Sequence, residues 1–221
     1  MGLEVVAATP VSAKGLVVSL SDVKTALGIT DGAYDAYLTG VLTRGSSLLE
    51  GELGIPPSDG GSTSLGFASF KETFFINRGR GTTDLVLSRR PVVSVAKIEV
   101  DGDEIDEDQY RVDLRTGIVS FGACSGSLVG AEIAVYFDAG WVLPGDANPN
   151  VPAALSDAII WFAKANYSAK DRDPLAKSIT ITDVKKTDYW VGSINSSSGG
   201  SAGPFPSDIA ASLYQYRYEP V

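Results

Sequence analysis

Histidine is absent from this chain of 221 residues, and cysteine occurs only once, at Cys124. Without histidine the chain has no Ser-His or Cys-His pair, and it lacks the commonest general base and metal ligand. A single cysteine excludes an intrachain disulfide and a cysteine-based zinc site. Catalysis would have to rest on carboxylates, Lys or Tyr. We therefore predict a protein that is not an enzyme and that holds no cofactor and no metal.

Basic residues are also scarce: 18 Lys and Arg stand against 27 Asp and Glu, which gives a net charge of −9. Proteins that grip DNA through its phosphates have the opposite balance. DNA can nevertheless pass along an acidic wall without adhering to it, because like charges repel. We predict no sequence-specific binding of nucleic acid.

Long apolar runs are missing, so no segment is expected to cross a membrane. The first 20 residues contain Glu4, Pro10 and Lys14, where a signal peptide would have a basic start and an unbroken apolar stretch. We expect a chain that is not exported by that route.

Apolar periodicity predicts three helices. The first is capped by Ser19 or Ser21 and ends at Gly28, and the second starts after Asp31 and stops at Gly54. The third opens at Pro152 and runs out before Pro174. Gly40 and Gly45 lie inside the second helix, where each either weakens it or permits a close helix crossing.

A β-rich block separates the second and third helices. The predicted strands are Phe70–Asn77, Thr83–Ser88, Val92–Val100, Tyr110–Leu114, Ile118–Phe121 and Ile133–Phe137, with turn signals at Arg78-Gly79-Arg80-Gly81, Asp101-Gly102 and Arg115-Thr116-Gly117. Linkers are predicted at Ser58–Ser69 and Gly145–Pro149. The tail is expected to contain strands at Ile179–Ile181 and Tyr189–Ile194, a flexible stretch at Ser196–Gly203, and a short helix from Pro206 to Tyr216.

This order of elements predicts an α+β fold: a small helical bundle core with a long β-rich insertion and a C-terminal docking arm. Residues 16–57 and 150–218 would form the helical core with its arm, and residues 70–142 the inserted subdomain.

Three groups of side chains are candidate sites. Asp101, Asp103, Glu104, Asp106, Glu107 and Asp108 lack the Gly and Glu spacing of a calcium loop, so we interpret them as a solvated hairpin tip. Arg78, Arg80, Arg89 and Arg90 are either exposed without a partner or contact DNA or an acidic surface. Ile209, Leu213, Tyr214, Tyr216, Arg217 and Tyr218 either dock on another subunit or pack onto the chain's own core.

Several of these stretches, in this order, resemble the head–tail connector (adaptor) proteins of tailed bacteriophages. The matching stretches are VSLSDVKTALGI, DAYLTGVLTRGSSLLEGELGI, LVLSRRPVVSVAKIEVDG, YRVDLRTGIVSF, IAVYFDAGW, VPAALSDAIIWFAKANY and FPSDIAASLYQYR. The resemblance covers most of residues 16–218. The long stretch Ser178–Ser201 and the Gly/Ser-rich linker depart from it.

The resemblance implies a non-enzymatic structural protein of the virion neck, assembled in the cytoplasm of the bacterial host. It would form a cyclic, dodecameric ring beneath the portal protein, link the DNA-filled capsid to a stopper or tail-completion protein, and let DNA pass without specific binding. The C-terminal segment would engage the portal through Tyr214, Tyr216 and Arg217.

Two other classes of function remain open. A non-enzymatic β-rich binding module of a tail or cell surface would show a row of exposed aromatic side chains. A carboxylate-dependent hydrolase would need two acidic groups facing each other across a cleft, and no spacing in the sequence places such a pair.

Overall fold

The fold is α+β, as predicted. The structure, a computed structural model, describes residues 2–7, 15–57, 63–76, 84–122, 128, 130–170, 178–181, 185–188 and 204–218, with side chains described outside 2–7, 178–181 and 185–188. Outside these residues lie Cys124, the predicted turn at Arg78-Gly79-Arg80-Gly81, the predicted strand Tyr189–Ile194 and the stretch Ser196–Gly203, which the sequence predicts to be flexible.

Four α-helices are described: α1 (Leu20–Leu27), α2 (Asp35–Glu52), α3 (Ala153–Ala169) and α4 (Ser207–Leu213), the last followed by a 3₁₀ turn at Tyr214–Tyr216. The local signals that predicted them are confirmed. The side chain of Ser19 accepts a hydrogen bond from the amide of Asp22, and Gly28 ends α1 in the left-handed conformation with φ +70°.

Ten strands are described: β1 (Gly2–Ala7), β2 (Ala68–Phe75), β3 (Asp84–Val86), β4 (Val92–Val100), β5 (Asp103–Glu104), β6 (Tyr110–Asp113), β7 (Ile118–Phe121), β8 (Glu132–Ala139), β9 (Ser178–Ile181) and β10 (Lys185–Asp188). They form a five-stranded antiparallel sheet in the order β1-β2-β8-β4-β5, a three-stranded sheet β3-β7-β6 and a β9–β10 hairpin. The turn predicted at Asp101-Gly102 is confirmed, with φ values of 51° and 91°. Strands β1, β5 and β10 are not among the predicted strands.

Two groups of buried apolar side chains make up the core. The helical cluster joins α1, α2, α3 and α4, and the β cluster lies between the five-stranded and three-stranded sheets. Leu65 and Trp141 belong to the helical cluster although they flank the five-stranded sheet. They lie where the two clusters meet, and we call this region the joint: residues 63–67, 88–91 and 139–141.

The predicted linker Ser58–Ser69 is wrong over its second half. Leu65 is only 3% exposed, Gly66 forms a β-bridge with Trp141, and Ser69 already belongs to β2. A Gly/Ser-rich composition indicates a flexible chain, but here the backbone gains hydrogen bonds from a strand end that is distant in sequence. The amide of Phe67 donates to the carbonyl of Trp141 at 2.8 Å, and the amide of Trp141 donates to Leu65 at 3.0 Å.

The two glycines inside α2 differ in their surroundings. A Cβ at Gly45 would lie 2.9 Å from Cδ1 of Phe162 and 3.4 Å from Cδ1 of Ile159, both on α3, whereas a Cβ at Gly40 would meet no atom within 4 Å. The close helix crossing suggested by the sequence is therefore confirmed at Gly45 and wrong at Gly40.

This contrast gives a stability prediction. We expect Gly40→Ala to raise the free energy of unfolding by about 0.5–1 kcal/mol, because alanine favours the helix. Gly45→Ala should lower it by about 1 kcal/mol, because overpacking against α3 outweighs the gain in helix propensity. Urea unfolding of the two variants side by side measures both values, and equal stabilisation by both substitutions would contradict the crossing.

Candidate functional site

The C-terminal segment, residues 204–218, lies on the chain's own helical cluster. Phe205 is 1% exposed, Leu213 is fully buried, and the Phe205 ring lies 6.4 Å from the ring of Phe162. Ile209 and Tyr216 pack against the same cluster, whereas Tyr214 is 60% exposed. Of the two expectations for this segment, packing on its own core therefore describes Leu213, whereas Tyr214 is exposed.

The last described residues of the segment reach the joint. Arg217 forms an ion pair with Glu52 in the last turn of α2. The amide of Tyr218 donates to the carbonyl of Leu53 at 2.7 Å, and the ring of Tyr216 meets Trp141 edge-on with 6.1 Å between ring centroids. Tyr216, Arg217 and Tyr218 thus contact both the end of α2 and the exit of the five-stranded sheet.

Arg89 is buried, 4% exposed, so the expectation of free exposure is wrong for this residue. Its Nη1 donates to the carbonyl of Ser64 at 3.0 Å, and its guanidinium lies 5.2 Å from the centre of the Phe70 ring. Burial lowers the pKa of Arg89, and the carboxylates of Glu50 and Glu72 act in the opposite direction. Arg89 therefore links α2 and the connection after it to the five-stranded sheet.

Arg90 is half-buried and lies beside the C-terminal segment. Its guanidinium is 6.0 Å from the centre of the Tyr218 ring. Burial raises the pKa of Tyr218, the charge of Glu72 raises it further, and Arg90 acts to lower it. Of the four arginines singled out in the sequence, Arg89 and Arg90 meet at the joint, and Arg78 and Arg80 lie outside the described residues.

Two buried carboxylates in this region escaped the sequence reasoning. Glu72 is fully buried and accepts hydrogen bonds from the amide of Ser88 at 2.9 Å and its hydroxyl at 3.0 Å. Burial raises the pKa of Glu72 in spite of these bonds and the nearby charge of Arg89. Glu50, 4% exposed, accepts a hydrogen bond from the hydroxyl of Thr63 at 2.9 Å. The burial of Glu72 could have been predicted from the alternation of side chains along a strand, because Glu72 lies on the same face as Phe70 and Phe74.

The cluster of Glu50, Glu72, Ser88 and Arg89 fixes the joint rather than presenting a reactive group. Oε1 of Glu72 and Nε of Arg89 have no hydrogen-bond partner among the protein atoms. The two atoms are buried, so neither is presented to solvent. Inside the protein the positive charge of Arg89 attracts the negative charges of Glu50 and Glu72. We call this attraction the electrostatic tie, and it offsets part of the free energy that is lost when the charged groups leave water.

The acidic run is the tip of the β4–β5 hairpin and the 3₁₀ turn that follows. Asp101, Asp103, Glu104, Asp106, Glu107 and Asp108 are exposed. Within the part of the chain that the structure describes, no group of three or more metal-ligating side chains is found. The interpretation as a solvated hairpin tip is confirmed.

The outer face of the five-stranded sheet is polar. The hydroxyl of Tyr136 donates to Glu99 at 3.0 Å, and the ammonium groups of Lys71 and Lys97 lie 5.5 and 4.5 Å from the centre of its ring. Asp138 accepts hydrogen bonds from the hydroxyls of Ser69 and Ser94 at 2.6 and 2.8 Å. The two ammonium groups of Lys71 and Lys97 share this face with the carboxylates of Glu99 and Asp138, so it is not a concentrated basic surface.

None of the described helices combines the length and the apolar character that a membrane span requires.

The arrangement of helices and sheets is similar to that of solved structures from particle necks. A chain in a structure titled "Neck of empty GTA particle computed with C6 symmetry" aligns over 100% of this chain and 97% of its own length, with a TM-score of 0.55 and 19% identity. GTA denotes gene transfer agent, a phage-like particle. A chain in "Neck of native GTA particle computed with C12 symmetry" aligns over the same shares with a TM-score of 0.49 and 16% identity. No protein-family profile and no curated protein matches the chain.

Proposed function

We propose that this chain is a structural protein of the neck of a phage-like particle, an adaptor that forms a ring beneath the portal and joins the DNA-filled capsid to a stopper or tail component. The observation that carries the proposal is the full-length likeness in fold to a chain of a gene transfer agent neck. The likeness extends over the helices, both sheets and the C-terminal segment together, rather than over one common motif.

The charge distribution supports the same role. The net charge is −9, and the joint holds its two described arginines, Arg89 and Arg90, against buried carboxylates or aromatic rings rather than presenting them to a phosphate backbone. A channel wall that passes DNA should repel it or leave it free, and a strongly basic surface would retain it. In a closed ring each copy contacts its neighbours head-to-tail, through two different patches.

A β-rich binding module is less well supported. The exposed aromatic side chains among the described residues are Tyr37, Phe67, Phe75 and Tyr214, and they come from separate elements. A glycan site would need them in one row, so their separation disfavours this alternative.

The proposal is tested by sedimenting the purified chain with DNA-filled, tailless particles whose portal is exposed, followed by electron microscopy of the vertex. We expect a ring of added density beneath the portal, with a rotational symmetry that can be counted directly. The same particles without a portal vertex serve as the control. Absence of binding at saturating protein, with the portal shown to be accessible, would rule out the adaptor role.

The C-terminal contact with the portal can be tested in the same experiment. Tyr214 is the most exposed of the predicted interface residues, and 60% of its surface faces solvent. We expect Tyr214→Ala to weaken binding by about tenfold or more, as for an aromatic hot spot. Phe75→Ala is the matched control, because Phe75 is 61% exposed and lies on β2. Equal effects of the two substitutions would place the portal contact elsewhere.

A further inference from the structure

The C-terminal segment has two ends of different character. Its first part, residues 205–213, is anchored by Phe205 and Leu213, which are 1% and 0% exposed in the helical cluster. Its last part, residues 216–218, is half-buried, and the side chain of Arg217 is 38% exposed. Because stability varies along a structure with burial, the last part can open while the first remains docked.

The contacts of residues 216–218 fall on both sides of the joint. Arg217 and the amide of Tyr218 bind the end of α2, at Glu52 and Leu53. Tyr216 contacts Trp141, which continues directly from β8, and Tyr218 lies beside Arg90, just before β4. One short stretch of chain therefore spans from the helical cluster to two strands of the five-stranded sheet.

Other ties across the joint do not involve this stretch. The amide of Gly140 donates to the carbonyl of Pro91 at 3.0 Å, and Leu65 and Phe67 exchange backbone hydrogen bonds with Trp141. Nη1 of the buried Arg89 donates a hydrogen bond to the carbonyl of Ser64. These ties connect the two clusters independently of residues 216–218. Release of residues 216–218 therefore loosens the bonds at Trp141, where Tyr216 packs, without unfolding either cluster.

We propose that residues 216–218 form a latch that holds the five-stranded sheet against the helical cluster and opens independently of the anchor at Phe205 and Leu213. The Arg217–Glu52 ion pair is the element that can be switched, because both partners are charged side chains and the Arg217 side chain reaches solvent. With the latch closed, Trp141 is covered by Tyr216. With the latch open, the sheet is free to change its angle to the helices. This proposal does not depend on the function proposed above.

Amide hydrogen exchange of the full chain, followed by mass spectrometry or NMR, tests the latch. We expect Arg217→Glu and Glu52→Arg each to raise the exchange rates of the Tyr218 and Trp141 amides by about fivefold to tenfold, because each places like charges together. The amides of Ile159 and Ala163, inside α3, should keep their rates. The double variant Glu52→Arg/Arg217→Glu restores the pair and should return the rates to within about twofold of the original chain.

Arg111→Glu is the matched control, since Arg111 is exposed on β6, away from the joint, and it should leave the Trp141 and Tyr218 amides unchanged. Phe205→Ala removes the anchor and should accelerate exchange throughout the helical cluster. The latch is overturned if the single reversals accelerate α3 and Trp141 alike, which would make residues 216–218 ordinary core. The proposal is equally overturned if the single reversals accelerate exchange of the Tyr218 amide but not of the Trp141 amide. It is also overturned if the double variant does not restore the exchange rates of both amides.

Discussion

Replacement of Gly140 by alanine is expected to destabilise the protein by about 3–5 kcal/mol, or to prevent folding, because two costs add at this position. Gly140 has φ +106°, which side-chain-bearing residues rarely adopt. A Cβ there would also lie 2.7 Å from the carbonyl carbon of Gly66 and 2.9 Å from the amide nitrogen of Phe67. Both are backbone atoms of the bridge at the joint, so they cannot move aside alone. Urea unfolding monitored by tryptophan fluorescence measures the effect.

Gly130→Ala is the control for the backbone conformation alone. Gly130 has φ +91°, but a Cβ there would meet no atom within 4 Å. We expect a loss of about 1–2 kcal/mol from the strained φ. The difference between the two variants measures the close approach at the joint, and equal losses would show that Gly66 does not lie against Gly140.

Replacement of Arg89 by methionine is expected to lower the free energy of unfolding by about 3–5 kcal/mol, because it removes the buried positive charge that acts on Glu50 and Glu72 and leaves buried carboxylates uncompensated. Methionine keeps much of the side-chain length over Phe70, but it leaves Glu50 and Glu72 buried without their common cation. The hydrogen bond to the carbonyl of Ser64 is lost as well. Denaturant unfolding at pH 7 gives the value, with Arg111→Met as the exposed control.

A second substitution separates the charge from the packing. Glu72→Gln removes one buried charge and keeps an acceptor for the amide and hydroxyl of Ser88. In the background of Arg89→Met it should recover about 1–2 kcal/mol, because a buried neutral amide is less costly than an unpaired carboxylate. The electrostatic tie would be contradicted if the double variant Glu72→Gln/Arg89→Met were no more stable than Arg89→Met. It would also be contradicted if Arg89→Met alone lowered the free energy of unfolding by less than about 1 kcal/mol.

Local signals in the sequence predicted most elements correctly. Ser19 and Gly28 delimit α1 because their side-chain and backbone chemistry satisfies groups at the helix ends. The alternation in residues 92–100 predicted β4, and the pairing of β6 with β7 followed from the turn at 114–117. These features depend on neighbours within a few residues, and such interactions are encoded locally.

The joint could not be predicted in the same way. Leu65, Gly66 and Phe67 have the composition of a linker, yet they are ordered by a strand end more than 70 residues later. The sequence indicates that Arg89 and Arg90, which precede a proline, are surface charges. Their burial depends on residues that are distant in the chain: Glu72 on β2 and the C-terminal segment pack around them. Strand β1 gave no clear periodic signal, and its place at the edge of the sheet follows from pairing with β2.

For this protein the sequence alone determined the α+β class, the order of helices and strands and the lack of histidine-based chemistry. The tertiary structure decided how the two core clusters meet, where the C-terminal segment lies and which charges are buried. The reason is physical: helix caps, turns and apolar periods act over a few residues, whereas burial of Arg89 and contact between Tyr216 and Trp141 need segments that are remote in the chain.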